Sequence, residues 1–295
     1  MLLPPGLTHM LTYTVYSEAG GVGKTTISAN CAVAHARAGH DVLVIDMDPQ
    51  DGSLSYLLDV DDERGKSGVD NLVRHLIGRP GGAFDDLVHE TEHGVSVVPS
   101  HNMLERLTEL LLKTADLEED THPDPDYEYP MYEQLLRVLQ EADVPARYDV
   151  LIVDPPATTG PQLYNALYAT RNLVVPLELS GKGQQSITGL EDLVEGLEGE
   201  LGINIGVLAA VPNEVKNTAD QRAYREKLEG LGYDVPVVIG DRTSMFEGCW
   251  RTQCSAFTFV EEHRSRTRDY EVETLEQFET LAAHLTRQVD LEVPA

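Results

Sequence analysis

One short stretch carries the clearest chemistry in this chain: Ser17-Glu18-Ala19-Gly20-Gly21-Val22-Gly23-Lys24-Thr25-Thr26. Gly20, Gly21 and Gly23 allow the backbone to turn successive N–H groups inward without Cβ clashes, which makes a cradle for anionic oxygens. Lys24 adds a cation suited to β- and γ-phosphates, and Thr25 offers a hydroxyl to Mg²⁺. The standard phosphate-loop spacing would place a glycine five residues before Gly23, where Glu18 stands, so the match is to a deviant form of that loop. A glycine-rich turn without a ligand is the alternative; Gly-Lys-Thr-Thr directly after an apolar run argues against it. Two carboxylates, Asp46 and Asp48, stand two residues apart in Asp46-Met47-Asp48-Pro49-Gln50, and a third, Asp154, ends the run Tyr-Asp-Val-Leu-Ile-Val-Asp at 148–154. Such acids suit a metal shell and a base that orients water. Alone, the Asp-Pro pair would read as a strand-ending turn. Pro155-Pro156-Ala157-Thr158-Thr159-Gly160 is a stiff loop incompatible with helix, of the kind that can sense a γ-phosphate as a switch.

These residues need strands and helices to bring them together. Residues 11–16 are apolar and β-rich, and 27–38 is an Ala-rich helical pattern with Gly39 placed to end it. The runs at 41–46 and 148–154 are continuously apolar, as buried parallel strands are. Further strands are expected at 95–99, 171–177, 203–211 and 235–239. Helices are expected at 68–77, 102–114, 132–141, 187–201, 217–231 and 271–288, with Leu104, Leu107, Leu110 and Leu111 on one side of the second. The alternation predicts an α/β fold: a single doubly wound, mostly parallel β-sheet with helices on both faces and no second domain. Ligands bind at the carboxyl ends of such strands, where Asp46 and Asp154 fall. Residues 1–10 read as a disordered extension, with Met10 a possible start, and 11–290 as the domain. Residues 113–130 are acidic and proline-bearing and read as an exposed insertion or an interaction loop.

Fifty acidic residues against 22 basic ones give a net charge of −28 and a pI near 4.5. The acids are spread over well-patterned helices and strands, so an acidic disordered tail is excluded. A surface adapted to molar salt fits better, because the Debye length there falls to roughly 3 Å and self-repulsion is screened. A salt-accumulating halophile is the expected source. Three cysteines, without Cys-x-x-Cys spacing, argue against a disulfide framework and against zinc or iron–sulfur sites. No apolar run approaches the ~18 residues of a membrane span, and a cytoplasmic location, with possible nucleoid association, is expected.

Taken in order, Ala-Gly-Gly-Val-Gly-Lys-Thr-Thr, Asp-Met-Asp-Pro-Gln and Tyr-Asp-Val-Leu-Ile-Val-Asp-Pro-Pro-Ala-Thr-Thr-Gly resemble the ParA/MinD superfamily of deviant Walker A ATPases, closest to the short Soj-like ParA partition proteins. The resemblance covers nearly the whole chain. It implies a P-loop NTPase fold like that of the nitrogenase iron protein, ATP and Mg²⁺ as cofactors, and a homodimer formed on ATP binding. It also implies non-specific DNA binding and slow hydrolysis stimulated by a ParB-like or other activating protein. By position, Gly20, Gly21, Val22, Gly23, Lys24, Thr25 and Thr26 match the phosphate loop, with Thr25 on Mg²⁺. Asp48 matches the water-positioning aspartate, Asp46 an outer Mg²⁺ acid, and Asp154 the Walker B aspartate. Pro156 and Gly160 match the second switch, Asn165 lies in the helix after it, and Asn213 falls where adenine contacts lie.

There is one departure: the family's signature lysine stands where this chain has Ala19. Lys182, between Gly181 and Gly183, is the candidate substitute; an ordinary solvated lysine is the alternative. Arg222, Arg225, Arg242, Arg251, Arg264, Arg266 and Arg268 are the candidate DNA contacts, with pairing to neighbouring acids as the competing reading. A partition ATPase, a nucleotide-dependent dimer switch with little hydrolysis, and a MinD-like membrane-positioning ATPase remain as readings. The last needs a basic amphipathic C-terminal helix, which Leu-Thr-Arg-Gln-Val-Asp-Leu-Glu-Val-Pro-Ala does not supply, so no membrane partner is expected.

Overall fold

The computed structural model describes residues 1–7, 9–179, 183–216 and 218–289, with 183–188 described by backbone alone. Seven strands form one sheet: β1 (Leu11–Val15), β2 (Val42–Asp46), β3 (His89–Glu90), β4 (Ser96–Val98), β5 (Val150–Asp154), β6 (Asn172–Glu178) and β7 (Gly206–Asn213). Their spatial order is β3-β4-β2-β5-β1-β6-β7. Every pairing is parallel except the short β3 against β4. β1, β2 and β5 are buried along their whole length, which is why they read as unbroken apolar runs rather than alternating ones. The doubly wound architecture expected from the sequence is the one observed.

The register does the work of assembly. β5 lies between β1 and β2, and Asp46 pairs directly with Asp154 at adjacent strand ends. The loop after β1 therefore emerges beside both acids, at the carboxyl edge of the sheet. Helix α1 (Lys24–Arg37) starts from that loop and packs on one face. Its small residues Ala29, Ala32 and Ala34 are buried, so it lies close to both the sheet and the helix Asp269–Thr286. Gly39, at φ +95°, ends it as expected. The opposite face is covered by the helices Leu107–Thr121, Gln134–Glu141 and Pro161–Thr170.

Four expectations differ from the structure. Residues 1–7 are packed rather than floppy: Leu7 and Met10 are fully buried, and the side chain of Asn172 both accepts from Leu2 N (2.8 Å) and donates to Leu2 O (2.7 Å). The acidic stretch after residue 113 continues the helix Leu107–Thr121, because Ala-Asp-Leu-Glu-Glu-Asp holds helix formers and no proline precedes Pro123; only the remainder to Pro130 is loop. The strand expected at 235–239 is absent. That segment touches β7 at scattered points such as Ile239 N to Pro212 O (2.9 Å), with one bridge from Val215 to Gly240. Pro212 and Pro236 carry no N–H, so a continuous ladder cannot form. Finally, the helices Thr243–Thr252 and Ala256–Glu262 were not expected from the pattern.

Candidate functional site

The phosphate-type loop bends through Gly21 (φ +77°) and Gly23 (φ +89°), and α1 opens at Lys24. The Lys24 ammonium curls back over the loop and donates to Ser17 O (3.1 Å) and Ala19 O (3.0 Å). Burial lowers its pKa, while the charges of Asp154 and Asp48 oppose that shift. From the far side of the sheet, Asn213 at the end of β7 donates through Nδ2 to Val22 O at 3.0 Å. A Cβ on Gly23 would lie 2.3 Å from that nitrogen, so a side chain there would push Asn213 aside as well as strain the backbone at φ +89°. Asn213 Oδ1 is buried and has no hydrogen-bond partner among the described residues.

The acids divide their roles. Asp154 accepts from Thr25 Oγ1 (2.9 Å) and from Ser28 Oγ (2.7 Å). Burial and then the charge of Asp46 push its pKa up to about 7, against the hydrogen bonds from Ser28 and Thr25. Asp46 is fully buried, and burial raises its pKa as well. Its Oδ2 accepts from Ser53 Oγ (2.6 Å), Ser55 N (2.8 Å) and Ser55 Oγ (2.6 Å), and its Oδ1 from Asp48 N (3.0 Å). Asp46 thus shapes the following loop rather than offering a free ligand oxygen. Asp48 is half-buried, accepts from Gln50 N at 2.9 Å through Oδ1, and lines the open cleft. Two acids at neighbouring strand ends, both tending to keep protons, make a place where a divalent cation relieves repulsion. The hydroxyl of Thr25 beside the carboxylate of Asp154 is the hard-oxygen set that Mg²⁺ takes.

The cleft has a volume of about 460 Å³. Gly20, Gly21, Gly23, Lys24, Thr25, Thr26 and Asp48 line it together with Ala157 of the loop at 155–160 and with Asn213. Val22 is buried beneath, contributing its carbonyl to Asn213. The sequence reading missed Phe246, Glu247 and Trp250, which line the same cleft from the C-terminal third, and it gave Arg242, which lines it too, only as a candidate DNA contact. Trp250 stacks on Tyr56 with centroids 6.3 Å apart. It missed Ser28 too, although a hydroxyl one turn after Thr25 was a usable signal. The Tyr16 hydroxyl donates to Ala157 O (3.2 Å), tying the end of β1 to the loop at 155–160. Gly160 stands at φ +153° before the helix Pro161–Thr170. Asn165 is buried and stitches that helix to Met131 O and Leu135 N, away from the cleft.

Ala19 is exposed and contributes only its carbonyl. Lys182 lies outside the described residues. Of the candidate arginines, Arg264 pairs with the buried Glu271 (2.7 Å), Arg242 with Glu273 (3.0 Å), and Arg225 with Glu229 (2.8 Å). Arg251, Arg266 and Arg268 are exposed, Arg268 donating to Tyr270 Oη at 2.7 Å.

Comparison with known proteins agrees with this geometry. A family model described as an AAA domain matches residues 10–201. The chromosome-partitioning ATPase Soj of Thermus thermophilus is 30% identical over 200 residues, 66% of this chain and 67% of its own. Among solved structures, the cobyrinic acid a,c-diamide synthase of Mycobacterium smegmatis with bound ATP analog and magnesium superposes with a TM-score of 0.69 at 22% identity, over 97% of this chain and 98% of its own. The septum site-determining protein MinD of Pyrococcus horikoshii OT3, complexed with Mg-ADP, gives 0.67 at 19% identity, over 95% and 97%. At these identities the two structures speak for the fold.

Proposed function

Because the chain belongs to the ParA/MinD superfamily of AAA-domain ATPases, we propose that it binds ATP with Mg²⁺ in the cleft and hydrolyses it slowly, as an ATP-dependent homodimer that partitions DNA or positions a cargo. The observation that carries this reading is the register of Asp46 with Asp154 beneath the glycine loop, which leaves Asp48 facing the cleft.

The backbone N–H groups of the loop and the start of α1 hold the phosphate oxygens, and Lys24 swings from the Ser17 and Ala19 carbonyls to the β/γ-phosphates. Thr25 and Asp154 hold Mg²⁺, directly or through water, and Asp46 keeps the loop in place behind them. When bound, Mg²⁺ supplies charge neutralisation at the phosphates. Asp48 orients the attacking water. Asn213 Oδ1 offers an acceptor to an amino group such as that of adenine.

A second reading, a nucleotide-dependent switch with little turnover, rests on Ala19, which places no cation where the family has one. Lys182 is our candidate for the replacement, and Arg251, Arg266 and Arg268 for DNA contact. A ParB-like or other protein is the proposed activator. Among the described residues no helix is long and apolar enough to cross a membrane.

ATP turnover in molar KCl, with and without DNA, tests the proposal. The expected result is slow phosphate release that falls about a hundredfold or more in Asp48→Ala while nucleotide affinity is kept. Bound ATP with no turnover under any of these conditions would favour the switch. Turnover unchanged by Asp48→Ala would refute the assigned role, and turnover unchanged by Lys182→Ala would remove Lys182.

A further inference from the structure

Arg64 is a buried cation outside the cleft. Its side chain is 8% exposed, and its guanidinium faces the segment that follows Asp48. One terminal nitrogen donates to Pro49 O, and the other donates to Ser53 Oγ at 3.0 Å. Nε donates to Asn102 Oδ1 (3.2 Å) and lies 3.3 Å from an Asp51 carboxylate oxygen. The backbone is tied as well, since Asn102 N donates to Arg64 O at 3.0 Å. Ser53 in turn donates to Asp46, so a single side chain links the residue after Asp48 to the carboxylate before it. Ser100 completes the frame by donating to Asp48 O (2.5 Å) and, through its N–H, to Ser55 Oγ (2.8 Å).

We propose that Arg64 is a positioning residue for the reaction: it holds the Asp48 loop in the geometry that presents the Asp48 carboxylate to the cleft, without itself reaching the nucleotide. Proline at 49 limits φ, but ψ at Pro49 and the turn through Asp51 and Gly52 stay free until the Pro49 carbonyl is held. Only a planar fork with several donors reaches Pro49, Ser53 and Asn102 together; an ammonium on the same stem cannot. The ion pair with the exposed Asp51 adds little energy. The inference rests on the ATPase reading for its kinetic consequence, but not for its structural one.

Arg64→Met and the milder Arg64→Lys test it, each alone and in an Asp48→Ala background. Arg64→Met should lower kcat about tenfold or more with KM and fluorescent ATP-analogue affinity within about twofold, and Arg64→Lys should fall between it and the parent. In the Asp48→Ala background neither variant should lower turnover further, because both changes remove one function. Amide exchange of the apo protein supplies a readout that needs no turnover. In both variants the amides of Asp48 and of residues 50–55 should exchange faster by about tenfold, while those of β5 stay as in the parent. Losses that multiply across the two backgrounds, a change confined to KM, or unaltered exchange at 48–55 would each overturn the proposal. A parent with no turnover would sink the ATPase reading alone, and exchange would still decide whether Arg64 holds the loop.

Discussion

Gly23 and Asn213 show how little tolerance the loop has. Any side chain at 23 meets both a backbone at φ +89° and an amide nitrogen 2.3 Å from its Cβ. Gly23→Ala should weaken ATP binding at least tenfold, about 1.4 kcal/mol, as read by fluorescent-nucleotide titration. Unchanged affinity would mean that the loop is not the phosphate cradle. A second residue-scale consequence concerns pH. His35 is completely buried, its Nδ1 3.3 Å from Thr286 Oγ1, and burial with the neighbouring His40 pushes its pKa down to about 3. The unfolded chain takes that proton near pH 6.5, so its contribution to stability is lost as pH falls from there towards 3, at about 1.4 kcal/mol per unit. Asp154 acts with the opposite sign. Its pKa of about 7 lies above the unfolded value, so the ligand-free fold takes the proton first and gains as pH falls from 7 towards 4. The two slopes offset one another in the parent and separate in a variant. The stability of His35→Phe relative to the parent should rise by about 1 kcal/mol between pH 7.5 and 5.5, from denaturant midpoints at fixed KCl. A pH-independent difference would contradict a buried neutral His35.

At the scale of elements, the basic run His-Arg-Ser-Arg-Thr-Arg illustrates what spacing alone leaves open. Glu271, in the first turn of the helix Asp269–Thr286, accepts from Arg268 N (2.9 Å) through Oε2 and pairs through Oε1 with Arg264, whose guanidinium also covers the Phe259 ring at 4.6 Å. Arg264 is therefore an internal support that joins two helices, and the surface carries one charge fewer than the run implies. Glu271→Ala, which leaves the half-buried Arg264 without its partner and removes the acceptor for Arg268 N, should cost about 1–3 kcal/mol. Arg266→Ala should stay within about 0.5 kcal/mol, both measured by urea unfolding. Equal, small effects would place the pair in solvent. The same contrast governs β7 and the segment beside it: apolar composition marked 235–239 as a strand, but the missing N–H groups of Pro212 and Pro236 leave it docked by scattered bonds.

For the whole molecule, the charge of −28 on one sheet-and-helix body is the dominant field. In dilute buffer the like charges on neighbouring helices repel over about 10 Å, and in molar salt over only about 3 Å. The thermal midpoint should therefore climb as KCl is raised from about 0.1 to 2 M, over which the screening length falls from about 10 Å to under about 3 Å. A midpoint that is flat or falls over that range would show that the acids are already balanced within the fold. Counterion release is weak at such salt, so any DNA contact through Arg251, Arg266 or Arg268 would have to rely on direct guanidinium–phosphate geometry.

The sequence by itself determined the glycine loop, the three acids and the doubly wound sheet. Each of these is written in short-range order: a run of buried apolar residues makes a parallel strand, and a strand, glycines and a helix start make an anion cradle within a dozen residues. Only the tertiary structure decided which of these groups meet at one cleft and what surrounds each. Asp46 reads like Asp48, yet four protein donors surround one and the other faces the cleft. Asn213 meets Val22 across 191 positions, and Arg64 looks like any surface arginine until the turn at 61–65 lays it against Pro49. Leu7 and Met10 are core because the fold brings them into one buried cluster with Leu43, Leu139 and Leu151. Such contacts depend on strand order and on how loops dock, and periodicity along the chain carries no record of either.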